Sequence, residues 1–82
     1  MAKSFHLTVA RVGENLFDGE ALSVHLSGAE GDFTILAGHE AFVSELKVGE
    51  ARIEAADGTK HHIPLPHGGV AEVSGGQATV LL

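Results

Sequence analysis

The chain has 82 residues, 44% hydrophobic and 20% charged, with 11 Asp and Glu against five Lys and Arg for a formal net charge of −6. This balance fits one folded domain spanning residues 1–82, near the lower size limit for a self-sufficient core, and excludes the disordered class. Scattered cations exclude a phosphate-neutralising nucleic-acid binder, the absence of Cys excludes disulfide and thiolate chemistry, and no window approaches the ~18 apolar residues of a membrane-spanning helix.

The opening "MAKSFHLTV" carries no leader pattern, so the chain is expected to act where it is made, in a cytosol-like compartment. Phe5, Leu7 and Val9 then alternate with His6, Thr8 and Ala10, the period of a half-buried strand. After "VGEN" and "DG", Leu22, Val24 and Leu26 alternate with Ser23, His25 and Ser27. In "GAEGDFTILAGHEAF" the run "DFTIL" sets Phe33 and Ile35 opposite Thr34 and Leu36, between glycine corners at Gly28, Gly31 and Gly38. "EAFVSELKVG" places Phe42, Val43 and Leu46 at helical spacing, but ten residues are few for a helix, and a turn leading into a short strand is preferred.

"ARIEA" and "KHHIPL" flank "ADGT", where Asp57-Gly58 predicts a type I′ hairpin. Pro64 and Pro66 cannot donate to a ladder and place that second run at a sheet edge. "VAEV" and "QATVLL" follow glycine turns, and in the latter Ala78, Val80 and Leu82 alternate with Gln77, Thr79 and Leu81. The reading is all-β, an antiparallel sandwich or barrel. With four Phe and no Trp or Tyr, its core is thin, and a partner is expected to add stability.

Catalytic and metal-binding constellations are poor. His61 and His62 are adjacent, so on a strand they point to opposite faces and cannot share an ion. His67 lies beyond two prolines, and "GHEAFVSE" offers only His39 of a cupin-like set. Ser44 has no glycine elbow, and Ser23, Ser27 and Ser74 fall on polar strand positions or in a turn. Glu30 and Asp32 beside Gly31 read as a solvated loop, and no phosphate-cradling G-x-x-x-x-G-K-[ST] loop is present. What remains is a surface: Phe33, Ile35, Leu36, Phe42 and Val43, crowded between glycines, either fill the core or form an apolar docking patch.

Three segments carry a family resemblance: "FHLTV", then "LF-x-GEA" at Leu16 to Ala21, then "G-x-EGDF-x-IL-x-GH" from Gly28 to His39. "LK-x-G" at Leu46 to Gly49, "GG-x-x-EV" at Gly68 to Val73 and the closing "ATVLL" extend it over essentially all 82 residues. The chain resembles the N-terminal domain of the epsilon subunits of F-type ATP synthases.

The resemblance implies a flattened antiparallel β-sandwich of about ten short strands with no catalytic residues and no cofactor. It implies a central-stalk rotor subunit that binds the gamma subunit and the c-ring and couples proton translocation to ATP synthesis. The membrane is met only through the complex, at the cytoplasmic face of the bacterial inner membrane. By the same resemblance Glu30, Gly31, Asp32, Gly38 and His39 face the c-ring, while His39, Phe42, Val43 and Ser44 lean toward gamma. Family members often have proline before and just after the histidine; Ala37 and Glu40-Ala41 stand here, which predicts a looser, more charged loop. Many members continue into a C-terminal helical hairpin that inhibits hydrolysis or helps bind ATP. This chain stops at Leu82, so neither hairpin inhibition nor ATP binding of that kind is expected of it. The competing reading is a stand-alone β-sandwich that binds a ligand or a peptide strand, which a deep apolar pocket would favour.

Overall fold

The computed structural model describes residues 3–82 and contains eight strands and no helix among them. The strands are β1 (Phe5–Arg11), β2 (Glu14–Gly28), β3 (Gly31–Leu36), β4 (Phe42–Leu46), β5 (Gly49–Ala55), β6 (Lys60–Leu65), β7 (Gly69–Ser74) and β8 (Gln77–Leu81). They form an all-β sandwich. One layer pairs the first half of β2 with β1, then β8, β7 and β4; the other pairs β3, the second half of β2, β5 and β6. All pairings between these strands are antiparallel except β1 with β8, which run parallel, so the expected purely antiparallel sheet is mixed. Such a parallel neighbour arises when the last strand docks beside the first.

The count of eight rather than about ten follows from β2. Its 15 residues would span about 50 Å if straight, yet the molecule's longest extent is 35 Å. The strand therefore bends, and the register breaks between Ala21 and Ser23 where it passes from one layer to the other. The extra residue shifts the alternation: Ala21 and Val24 are both fully buried and Leu22 is only half-buried, although the plain period of two groups Leu22 with Val24 and Leu26. The remaining alternations hold. Leu7, Val9, Val24, Leu26, Ile35, Leu65 and Val80 are the largest side chains sealed in the core, and no polar residue is buried among the described ones.

"EAFVSELKVG" forms the short strand β4 after a turn. Pro64 lies on β6, a sheet edge, and pairs in register with Glu50 without needing to donate outward. The "ADGT" hairpin forms, but not as type I′. Gly58 alone takes a positive φ there, of 90°, and no non-glycine residue does so among the described residues. Asp57 instead uses its carboxylate as an acceptor: Oδ1 takes the Thr59 backbone N–H at 2.9 Å and the Thr59 hydroxyl as well. The Gly58 N–H donates to the Ala55 carbonyl at 2.9 Å, giving a wider loop than a two-residue turn. The paired positive φ values fall at Gly75 and Gly76, in the two-residue turn between β7 and β8.

Gly68 combines a φ of +72° with close approach: a Cβ there would meet the Leu46 carbonyl oxygen, whereas one at Gly58 would meet nothing. Gly68→Ala should therefore cost about 3 kcal/mol or more in urea unfolding, and Gly58→Ala only about 1–2 kcal/mol of backbone strain. Equal losses would show that strain alone, not the packing at Leu46, governs Gly68.

The Asp57 carboxyl is held below its usual range, first by the Thr59 hydroxyl and then by the Thr59 backbone N–H. A depressed carboxyl adds stability above the ordinary carboxylate pKa of about 4, and that contribution fades as pH falls through the lowered value. Thr59→Val keeps the N–H and removes the hydroxyl, so the Asp57 titration midpoint seen by NMR should rise toward the ordinary value; an unmoved midpoint would contradict the assignment.

Candidate functional site

The stretch singled out in the sequence forms β3, the corners at its ends, and the start of β4. At the first corner Gly28 pairs with Gly31 across the two-residue turn Ala29-Glu30. Gly28 permits this because a Cβ there would collide with the Gly31 carbonyl and lie 2.8 Å from the Phe33 ring. Glu30, Gly31 and Asp32 are exposed. Asp32 lies on the outer face of the sheet, its carboxylate 3.7 Å from His25 Nε2, while His25 Nδ1 sits 2.9 Å from the Thr34 hydroxyl.

Gly38 and His39 lie beyond the other end of β3, about 17 Å of strand away from Gly31. The five residues assigned to the ring side thus occupy two separate places rather than one loop. His39 donates its backbone N–H to the Leu36 carbonyl at 3.2 Å and its Nδ1–H to the Glu40 carbonyl at 2.8 Å. Its ring packs on Phe42 with centroids 4.7 Å apart, and Phe42 meets Phe33 edge-on at 5.4 Å. This His39–Phe42–Phe33 stack joins the loop at Gly38 to Ala41 to β3 and β4. The loop borders an open concavity of about 350 Å³ lined by Gly38 to Phe42.

The residues assigned to the gamma side divide by strand parity. Val43 points outward and is 68% exposed. Phe42 and Ser44 are half-buried, and Phe42 packs against the core. The choice between core and docking patch therefore falls differently for neighbours: Ile35 is core, Phe33 and Phe42 sit at its margin, and Leu36 and Val43 are surface.

Chemical groups elsewhere are arranged as ladders between strands. His6 lies between Asp18 at 2.7 Å and Glu20 at 3.4 Å, which links β1 to β2. His61 packs on Phe17 at 5.1 Å, while His62 faces the other way, 3.7 Å from Glu50. Among the described residues no three His, Asp or Glu converge as a metal-ligand set. Thr34, His25 and Asp32 follow the order of a nucleophilic triad, but they lie across an open sheet face and the His25–Asp32 contact is longer than a hydrogen bond.

The sequence reading missed an apolar groove of about 600 Å³ beside the β1–β2 turn, walled by Val12, Leu16, Ile63, Pro64, Pro66 and Leu82. None of the residues assigned to the ring or gamma side lines it, although His62 and His67, weighed above as metal ligands, do. Its walls come from three distant segments, so no local pattern could signal it.

The model of the ATP synthase delta/epsilon chain β-sandwich domain matches residues 4–82. The ATP synthase epsilon chain of Desulforapulum autotrophicum is 38% identical over 81 residues, covering 99% of this chain and 59% of that protein. The epsilon chain of Thioalkalivibrio sulfidiphilus is 32% identical over 81 residues, covering 99% and 57% respectively. The chain thus spans less than three-fifths of the length of these relatives. Among solved structures, a chain of the Euglena gracilis mitochondrial ATP synthase, in an assembly of OSCP, F1 and c-ring, superposes with a TM-score of 0.86 at 28% identity. That match covers 95% of this chain and 49% of the other. A chain of the Tetrahymena thermophila ATP synthase central stalk and c-ring shares the fold, with a TM-score of 0.70 at 17% identity over 96% of this chain and 63% of its own. With its sandwich and its motifs matched from residue 4 to residue 82, the chain belongs to the family of ATP synthase delta/epsilon-chain β-sandwich domains.

Proposed function

We propose that the chain is the β-sandwich part of an ATP synthase epsilon subunit, a non-catalytic element of the central stalk. The observation that carries this reading is the end-to-end match: residues 4–82 in sequence, and 95% of the chain in structure against a chain of an ATP synthase assembly of OSCP, F1 and c-ring. The architecture is suited to the task. A rotor part transmits torque through stiff bodies and fitted surfaces, and two layers joined by one continuous strand around a dry core resist shear.

In this reading the chain sits between gamma and the c-ring at the cytoplasmic face of the bacterial inner membrane, and it meets the membrane only through the complex. Asp32, with Glu30 and Gly31, addresses the ring at one end of β3; Gly38 and His39 extend that side from the other end. His39 and Val43 touch gamma, with Phe42 and Ser44 supporting them from beneath. The chain needs no cofactor and binds no nucleic acid. A second reading, a stand-alone ligand-binding module, draws on the 600 Å³ groove.

Titrating the folded chain into purified gamma subunit by calorimetry separates the two. A one-to-one complex of roughly micromolar affinity or better is expected, and no binding would leave the groove reading in place. Val43→Asp should weaken that complex roughly tenfold with an unchanged melting temperature, because Val43 is exposed. Asp32→Lys should leave the fold and gamma affinity intact but lower ATP-driven proton pumping in a reconstituted complex. Pumping at the unmodified level would count against the ring contact.

A further inference from the structure

The groove of about 600 Å³ marks the flank where the two layers of the sandwich do not close on each other. The first half of β2 pairs with β1 alone and β6 pairs with β5 alone, so both are edges. Leu16 on one edge and Ile63 on the other line the space between them. Leu16, Ile63 and Leu82 are partly buried and pack on the core, so the groove's floor is the core's own margin, while Val12 at its lip is fully exposed. A Cβ on Gly69 would lie 3.4 Å from the Leu82 Cα, and the Leu82 N–H donates to the Ala10 carbonyl at 2.9 Å. The β6–β7 corner and the end of β1 therefore meet at Leu82, which brings His67 and Arg11 to the same end of the groove.

Charge is sorted here against the trend of the chain. Of the ten residues that line the groove three are basic, Arg11, His62 and His67, and none is acidic. The chain as a whole carries 11 Asp and Glu against five Lys and Arg. Glu14 engages Arg11 at 2.7 Å and Glu50 stands 3.7 Å from His62, but neither carboxylate lines the groove. Both Arg11 contacts, from Nε and Nη2, go to one Glu14 oxygen, and a guanidinium has five N–H donors, so others remain to be used. The exposed His67 side chain has no hydrogen-bond or ion-pair partner among the described residues. The walls also select against a peptide strand, because Pro64 and Pro66 have no N–H to offer a ladder along β6. A hydrocarbon chain needs no donors, and a negative head at its end answers the basic side chains.

We propose that the groove binds a free long-chain fatty acid, with its hydrocarbon chain between Leu16 and Ile63 and its carboxylate held by Arg11 and His67. The volume falls within the ~300–1,000 Å³ of small-molecule sites. The inference goes beyond the stalk reading and does not depend on docking to gamma, since no residue assigned to gamma or the ring lines the groove.

The test is an NMR titration of the isotopically labelled chain with dodecanoate, kept below its micelle-forming concentration. Saturable binding is expected with a Kd on the order of 100 μM, and with the largest shifts at Val12, Leu16, Ile63 and Leu82. Decanoate, two methylenes shorter, and dodecanol, without the charge, should each bind roughly tenfold more weakly. Arg11→Gln should weaken dodecanoate roughly tenfold and leave dodecanol within about twofold. Val12→Asp should weaken both, and Val48→Asp, outside the groove, should change neither by more than about twofold. Arg11, Val12 and Val48 are exposed, and matching melting temperatures establish that each variant is folded. Shifts that never saturate, or that saturate away from the groove, would overturn the site. Sedimentation of the chain with phosphatidylglycerol vesicles, without any response to free dodecanoate, would assign the anion to a bilayer and overturn the free acid.

Discussion

Strand β2 belongs to both layers of the sandwich, and the other pairings are arranged around its bend. The first half of β2 pairs with β1, while the second half pairs with β3 on one side and β5 on the other. The shift at Ala21 to Ser23 lets one run of backbone turn from layer to layer while keeping an inward side chain at nearly every other step. The same bend closes a ring of pairings from β1 through β8, β7 and β4 back to β2 at Gly28. A core of Val, Leu, Ile and Ala with one buried aromatic, Phe5, has little aromatic mass to hold two layers together. Covalent continuity through β2 supplies a connection that packing of small aliphatic side chains would supply less well.

The bend also sets the surface. It leaves β3 as an edge strand beside β2, with its acidic corner at Asp32 and its aromatic-tied loop at His39 on opposite ends. It also determines which face of the first layer is outward, and so why Val70, Leu81 and Val43 share one exposure. Among the described residues no three His, Asp or Glu converge as a metal-ligand set. His6, His25 and His62 each reach a carboxylate on the sheet surface, and the Asp57 carboxyl is occupied in shaping a turn. Such an arrangement organises recognition by contact better than it organises proton transfer.

Period-two alternation made most strands legible, because burial on one face imposes it directly: Phe5, Leu7 and Val9 on β1, and Ala78 and Val80 on β8, lie where the pattern puts them. What stayed hidden was non-local. Leu22 looks inward by its neighbours and is displaced by a bulge that only the pairing with β5 reveals. Asp57-Gly58 looks like a type I′ turn, but the Asp57 carboxylate engages Thr59 and favours a wider loop. In the candidate site, parity within β4 separates exposed Val43 from half-buried Phe42, although the two are adjacent in the motif. The adjacency of Val70, Leu81 and Ala10 exists only through register between separate strands.

The central claim is that this molecule works by its surfaces, with the loop at His39 and the exposed Val43 proposed as the part that meets gamma. Amide chemical-shift mapping of the isotopically labelled chain, with unlabelled gamma added, tests it most directly. The account predicts shifts concentrated on β4 and residues 37 to 41, with β5 and β6 unperturbed. Shifts centred on β5 and β6, or on the groove at Ile63 and Leu82, would contradict it.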